Sequence, residues 1–215
     1  MPPDANFWNE HYLHNTTTWD MGKVSPPLAA YFSQLLNKDC SILIPGCGNS
    51  YEAAWLLEHR FTSITLIDIS EALTHRLRQV FAGTPDPPLQ IITGDFFRLT
   101  GQYDLIIEQT FFCALDPSLR ESYIDHMHQL LRPGGKLAGL LFDRSFGGAS
   151  SLAPPRSFPL LRSGITGGPP FGGHEAEYHK LLEKKFRIKT LAPCYNSIAP
   201  RAGSELFFIA EKLTD

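Results

Sequence analysis

The feature that most constrains this chain is a regular alternation of short apolar runs with helical patterns, which begins at Ser41. The runs at residues 41–44, 63–68, 89–93 and 103–109 have the length and composition of buried strands. Strands that alternate with helices form a parallel sheet, because parallel neighbours need crossover connections. The sequence therefore predicts an α/β fold with helices on both faces of a mostly parallel sheet.

The alternation continues towards the C-terminus. A helix, a strand, a second helix and two final strands are predicted at residues 117–131, 136–142, 175–185, 186–195 and 205–212. The first of these helices must end at Pro133-Gly134, because proline cannot continue the hydrogen-bond ladder and glycine caps the helix. We therefore treat residues 1–215 as a single domain.

Two segments do not follow this alternation. Residues 1–38, here called the N-terminal cover, are rich in aromatic side chains and predict two helices that lie over the edge of the sheet. Residues 145–173 hold seven glycines and five prolines, too many for a helix or a strand interior. A loop of this length in a compact domain is usually functional or disordered. We expect both segments to close over a site at the sheet edge.

Composition and charge exclude several classes of protein. With 43% hydrophobic and 19% charged residues in 24.0 kDa, the chain has enough apolar material for one core. Its formal charge of -3 disfavours a nucleic-acid partner, and no apolar window approaches the roughly 18 residues of a membrane span. The first twelve residues lack the pattern of a secretion signal. Four widely spaced cysteines predict reduced thiols and a cytoplasmic location, and oligomeric state is left open.

The most informative motif follows the first predicted strand. In Pro45-Gly46-Cys47-Gly48, the two glycines allow a tight turn and a close approach of the backbone to a ligand. Twenty residues beyond Gly48, Asp68 ends the second strand, where a carboxylate accepts hydrogen bonds from a ribose in nucleotide-binding folds.

The third glycine of a dinucleotide fingerprint is replaced by Tyr51, which favours a ligand with one ribose and no pyrophosphate. S-adenosylmethionine is such a ligand. An ordinary turn with a surface aspartate is the alternative.

Further motifs extend the pattern. Gly94-Asp-Phe-Phe97 follows the third strand, and Tyr103-Asp-Leu-Ile-Ile-Glu-Gln109 forms the fourth. With Leu130-Leu-Arg-Pro-Gly-Gly135 they resemble class I S-adenosylmethionine-dependent methyltransferases. Trp19-Asp-Met-Gly22 and Phe111-Phe-Cys-Ala-Leu-Asp-Pro-Ser-Leu-Arg120 resemble the thiopurine S-methyltransferase family, and especially its plant-type thiol/halide methyltransferase branch.

This resemblance implies a Rossmann-like, seven-stranded sheet whose last strand is antiparallel. It also implies methyl transfer from S-adenosylmethionine to a small thiol, thiopurine or halide by in-line displacement. The cofactor residues carried over from the family are Trp8, Tyr12, Trp19, Gly46, Asp68, Asp95, Phe96, Gln109 and Phe142. The branch often has tryptophan where Tyr12 stands and an aromatic residue where Gln109 stands.

The remaining candidates concern the substrate. Arg120, Arg201 and Phe171 are possible substrate contacts, and solvated surface arginines are the alternative for the first two. We expect no dedicated base, and no metal, because His179 is out of register for a zinc motif with His174. Cys113 is expected to be a buried small side chain rather than a nucleophile.

Three other functions stay open: methyl transfer to another small-molecule class, an NAD-dependent oxidoreductase, and a binding module that has lost catalysis. The missing third glycine and the absence of a hydride-transfer pair disfavour the oxidoreductase.

Overall fold

The computed structural model describes residues 3–84, 88–146 and 168–213. The helices are Ala5–Leu13 (α1), Pro26–Phe32 (α2), Tyr51–Glu58 (α3), Glu71–Val80 (α4), Arg120–Leu130 (α5) and Glu175–Leu182 (α6). The strands are Ile42–Pro45 (β1), Ile64–Asp68 (β2), Leu89–Thr93 (β3), Tyr103–Gln109 (β4), Leu131–Phe142 (β5), Phe186–Pro193 (β6) and Glu205–Lys212 (β7). The elements predicted from the sequence are all present, with ends that differ by a few residues.

Within the described residues, the strands form one sheet of seven in the order β3-β2-β1-β4-β5-β7-β6. Strands β1 to β5 pair in parallel, whereas β7 is antiparallel to both β5 and β6. This confirms the predicted seven-stranded, mostly parallel sheet with an antiparallel last strand. The strand order reverses between β1 and β4, and open α/β sheets bind ligands beside the carboxyl ends of strands at such a reversal.

The two faces of the sheet carry separate apolar clusters. Leu43 and Ile106 belong to the first core, which packs against α5 and α6. Their chain neighbours Ile42 and Ile107 point to the opposite face and belong to the second core, which packs against α2, α3 and α4. The central strands are therefore covered on both sides, as the alternation of strands and helices predicts, whereas the edge strand β6 contributes to the first core alone.

Local signals in the sequence explain where helices begin. Asp4 caps α1 by accepting from the Phe7 N–H at 2.9 Å, and the Ser70 hydroxyl caps α4 by accepting from the Leu73 N–H at 3.2 Å. Helix α2 begins at Pro26, whose missing N–H costs nothing in the first turn. Helices α1 and α2 pack against α4 and α3, which confirms the two helices predicted for the N-terminal cover.

The start of β5 differs from the prediction. The strand begins at Leu131 rather than at residue 136, and its register against β4 shifts, so that Tyr103 pairs with Leu131 and Leu105 with Lys136. Gly134 has a φ of +74°, and Pro133 lacks an N–H for the ladder. The intervening residues therefore bulge out while the strand direction continues across them.

Most of the predicted Gly/Pro-rich loop, residues 147–167, lies outside the described residues. The two ends of the loop meet, because Arg144 and Gly173 form an antiparallel bridge. In the part of the chain that is described, no helix is long and apolar enough to cross a membrane.

Candidate active site

The glycine-rich turn after β1 has an unusual backbone conformation. Gly46, Gly48 and Ser50 adopt positive φ angles of 55°, 51° and 56°, so that left-handed residues alternate along the turn. A Cβ on Gly46 would collide with the ring of Phe111. The tight turn is as predicted, but the space beside Gly46 that the sequence assigned to a ligand is filled by a side chain of the protein.

Asp68 lies at the carboxyl end of β2, beside the glycine-rich turn. Its side chain accepts from the N–H groups of Ser70 at 2.9 Å and Gly48 at 3.5 Å, and the residue is only 8% exposed. Burial raises the pKa of this carboxyl to about 6, although the backbone donors favour its charged form. The alternative of a surface aspartate is wrong. Because each carboxylate oxygen can accept more than one hydrogen bond, Asp68 retains capacity to accept from a ligand.

The three aromatic residues predicted to line the cofactor site are brought together by the N-terminal cover. The Trp19 ring makes edge contacts with Trp8 and Tyr12, at centroid distances of 5.5 and 6.0 Å. Tyr12 is buried in the second core, and its hydroxyl would lie 3.7 Å from a Cβ on Gly48. The aromatic cluster therefore lies directly over the glycine-rich turn.

Polar side chains that the sequence did not single out hold the cover in place. The Asn9 side-chain oxygen accepts from the Ser70 hydroxyl at 2.7 Å and the Ala72 N–H at 3.1 Å, at the start of α4. Asp20 accepts from the Tyr51 hydroxyl at 3.2 Å and from the Asn49 side chain. The only sequence signal for these contacts was the position of Asp20 inside the Trp19-Asp-Met-Gly22 motif.

The segment after β3 contributes Asp95 and Phe96. Asp95 is exposed and accepts from the Phe97 N–H at 2.9 Å, which caps a 3₁₀ turn. The Phe96 ring packs edge-on against Phe111 and His126, at 5.2 and 4.8 Å, and is enclosed in the first core. Its role beside an adenine ring stays a prediction, and its side chain is already buried among protein side chains.

Gln109 ends β4, across the strand reversal from the glycine-rich turn. Within the described residues, both polar atoms of its side-chain amide are buried without a hydrogen-bond partner. Thr110 follows in a left-handed conformation, with a φ of +60°, and its hydroxyl donates to the Gln109 carbonyl at 2.6 Å. A buried amide without partners is costly, so Gln109 marks a position where a bound ligand would supply the missing hydrogen bonds.

Both candidate arginines are buried, so the interpretation as solvated surface side chains is wrong. Arg120 pairs with Glu177 and donates to the Gly172 carbonyl at 2.6 Å. Arg201 pairs with Glu205 at 3.2 Å and donates to the Trp19 carbonyl at 2.7 Å, across 182 residues of chain. Protein partners therefore engage both guanidinium groups, although the buried Nε of Arg120 has no hydrogen-bond partner among the described residues. A substrate role for either arginine stays a prediction.

The two remaining candidates, Phe142 and Phe171, lie near these arginines. The Phe142 ring is 5.3 Å from the Arg201 guanidinium and 4.9 Å from the ring of Phe146. The Phe171 N–H donates to the Cys113 carbonyl at 2.6 Å, which ties the described end of the Gly/Pro-rich loop to the segment after β4. Cys113 itself is buried, and burial raises the pKa of its thiol to about 12, as expected for an inert thiol.

The model of the family described as Thiopurine S-methyltransferase matches residues 3–159. The chain belongs to the thiopurine S-methyltransferase family. Among curated relatives, it is 28% identical to "Probable thiol methyltransferase 2" of Arabidopsis thaliana, over 92% of this chain and 81% of that protein. It is 29% identical to a "Thiopurine S-methyltransferase" of Pseudomonas fluorescens, over 71% and 76% of the two chains.

Solved structures show the same fold at lower sequence identity. The 1,6-didemethyltoxoflavin-N1-methyltransferase of Burkholderia thailandensis, solved with S-adenosylhomocysteine, superposes with a TM-score of 0.72 at 18% identity. The match covers 98% of the present chain and 87% of the Burkholderia chain. Magnesium protoporphyrin IX methyltransferase of Synechocystis, also solved with S-adenosylhomocysteine, gives a TM-score of 0.69 at 16% identity, over 97% of each chain. These neighbours confirm the class I methyltransferase fold.

Proposed function

We propose that this protein transfers a methyl group from S-adenosylmethionine to a small thiol or thiopurine. The observation that carries the proposal is a pair of side chains at the reversal of the strand order. Asp68 is a buried carboxylate with accepting capacity to spare, and Gln109 is a buried amide without a partner in the described structure. Both groups fit a ligand with a ribose and a polar tail.

The residues of the site divide by chemistry. Asp68 would accept from the ribose hydroxyls, Asp95 from the adenine amino group, and Gln109 would pair with polar groups of the ligand. Trp8, Tyr12 and Trp19 would surround a sulfonium, because each aromatic face near a cation contributes about 0.5–2 kcal/mol. When bound, S-adenosylmethionine supplies an electrophilic methyl group on that sulfonium. Family membership and these fitting residues support the assignment.

The protein's own part in such a reaction is alignment and exclusion of water. Orienting two reactants can be worth roughly 7–11 kcal/mol of the barrier, and a thiolate needs little activation once it is aligned. Cys47 and Cys113 are buried thiols whose pKa values burial raises, so neither serves as a nucleophile of the protein. The aromatic cluster of the cover and the segment that carries Phe171 would exclude water from the site.

A thiol nucleophile is favoured by the names of the relatives, which include thiol, thiocyanate and thiopurine methyltransferases. Halides belong to the proposal as a further class to test.

The NAD-dependent alternative is disfavoured, because Tyr51 occupies the third glycine position and its hydroxyl is bonded to Asp20. All four cysteines are free thiols, which supports a cytoplasmic location.

The proposal is tested by incubating the protein with labelled S-adenosylmethionine and a panel of thiols, thiopurines and halides, with oxygen and nitrogen nucleophiles for comparison. We expect label to move to at least one thiol or thiopurine, with S-adenosylhomocysteine as the second product. Transfer of label to oxygen or nitrogen nucleophiles alone would show that the substrate is not a thiol or a thiopurine. Absence of transfer, together with tight binding of NADH, would overturn the proposal in favour of an oxidoreductase.

A further inference from the structure

Glu108 is a fully buried carboxyl that the proposed reaction does not use. It is the next-to-last residue of β4, and it faces the first core together with Ile106, two residues earlier. No cation is among the hydrogen-bond partners described for it. Burial therefore raises the pKa of this carboxyl to about 7. A carboxylate in such a place is costly, so its hydrogen bonds require an explanation.

Three donors converge on this one carboxylate. One oxygen accepts from the N–H groups of Phe111 and Phe112, each at 2.8 Å, and the other accepts from the Tyr123 hydroxyl of α5 at 2.6 Å. A glutamine could keep these three contacts by donating its amide N–H to the Tyr123 hydroxyl, but it would lack the negative charge that strengthens the two bonds from the backbone. One side chain thus joins the end of β4, the segment that follows and the neighbouring helix.

The segment that Glu108 holds, residues 109–113, is here called the post-β4 turn. It begins with Gln109, whose amide has no partner in the part of the chain that the structure describes, and continues with Thr110 in its left-handed conformation. It then presents the ring of Phe111 to Gly46 of the glycine-rich turn and ends at Cys113, whose carbonyl accepts from Phe171. The geometry of three parts of the candidate site therefore depends on this turn.

We propose that Glu108 is a positioning residue of the methyl-transfer site, which holds Gln109 and Phe111 in the geometry that binds S-adenosylmethionine. This inference rests on the proposed function. The charged carboxylate accepts all three hydrogen bonds, whereas protonation removes the charge that strengthens them and reverses the bond with the Tyr123 hydroxyl. Cofactor binding and the charged state of Glu108 should therefore favour one another, and by linkage the coupling acts in both directions.

The first test compares Glu108→Gln with Tyr123→Phe, which removes one donor to the same carboxylate and leaves both bonds to the post-β4 turn. We expect Glu108→Gln to weaken S-adenosylhomocysteine binding in calorimetry by about tenfold and to raise KM for S-adenosylmethionine more than it lowers kcat. Tyr123→Phe should change the affinity by no more than about twofold. Equal affinities in wild type and Glu108→Gln would overturn the inference. Absence of binding by the wild type would instead overturn the proposed function.

A second test uses the wild-type protein and does not depend on folding of the variant. The backbone amide resonances of Phe111 and Phe112 should titrate together near neutral pH, because both donate to Glu108. The other titratable groups that face Glu108 are Tyr123 and Cys113, whose raised pKa values keep them neutral in this range. We expect S-adenosylhomocysteine to lower the shared midpoint. A midpoint that the ligand does not move would contradict the coupling.

Discussion

Asp68 and Glu108 are both buried carboxyls near the carboxyl edge of the sheet, but the protein satisfies them differently. Asp68 receives two backbone hydrogen bonds, one of them long at 3.5 Å, whereas three donors lie within 2.8 Å of the Glu108 oxygens. We infer that Asp68, with few and partly long bonds to the protein, is free to accept from a ligand. Glu108, which accepts three short bonds from protein donors, holds the protein itself in place.

The largest expected effect concerns stability against pH. Folding raises the pKa of Glu108 from 4.5 to about 7 and that of Asp68 from 3.8 to about 6. Such groups stabilise the fold fully below their unfolded pKa, and this contribution is lost as the pH rises through the folded pKa. We expect each to lower the free energy of unfolding by roughly 3 kcal/mol as the pH rises from about 4 to about 7.

Denaturant titrations at several pH values measure this effect. In Glu108→Gln and in Asp68→Asn, the free energy of unfolding should no longer show the pH dependence that the replaced carboxyl contributes. The pH range over which the dependence is lost should end lower for Asp68→Asn than for Glu108→Gln. If both variants keep the full wild-type slope, neither carboxyl has the raised pKa that its burial implies.

The next effect concerns ligand binding by Asp68. Asp68→Ala removes the ribose acceptor and should weaken S-adenosylhomocysteine binding by about 1–3 kcal/mol, with the fold retained. Asp104 is a matched control, because its carboxylate lies at the start of β4 and is engaged with Ser41 and Arg132. Asp104→Ala should leave the affinity within about twofold. If both variants bind S-adenosylhomocysteine as tightly as the wild type in a calorimetric titration, Asp68 is not part of the binding site.

A smaller effect tests whether either carboxyl acts as a general base. A free thiol with a pKa near 8.5 is only a few per cent thiolate at neutral pH, so methylation of such a thiol should rise about tenfold per pH unit below that pKa. Iodide does not titrate, so at saturating S-adenosylmethionine any methylation of iodide should stay nearly flat over the same range. Parallel profiles for the two nucleophiles would indicate a titrating protein group, with Asp68 and Glu108 as the first candidates.

The smallest effect concerns the N-terminal cover. Asn9 and Asp20 hold the cover to α4 and to the glycine-rich turn through a few side-chain hydrogen bonds, so local opening should cost little. We expect S-adenosylhomocysteine to slow hydrogen exchange of the α1 amides while exchange in β6, far from the site, stays unchanged. Equal exchange of α1 with and without ligand would mean that the aromatic cluster is static core packing.

Much of the fold could be predicted because local patterns specify it. The alternation of strands and helices predicts the parallel sheet, and capping residues such as Ser70 mark the starts of helices. The start of β5 was missed, because Pro133 and Gly134 are typical of a loop and pairing across a bulge depends on the neighbouring strand.

The site was harder to predict because its contacts join distant parts of the chain. Gly46 was correctly expected to turn, but the sequence does not show that Phe111 fills the space beside it. Arg201 is buried because the fold brings the Trp19 carbonyl and Glu205 to its guanidinium, and the sequence does not show these contacts. For Glu108 the sequence contains a signal, because a carboxyl inside an apolar strand is costly unless hydrogen-bond donors surround it. The strand sequence alone does not show which residues those donors are.

A structure of the protein with S-adenosylhomocysteine is the decisive measurement. We expect the ribose hydroxyls to donate to the Asp68 carboxylate, the ligand to form hydrogen bonds with the Gln109 amide, and the same three donors to surround Glu108. A ligand bound away from the glycine-rich turn, or a ligand that leaves Gln109 without a partner and displaces Phe111 from Gly46, would contradict this expectation.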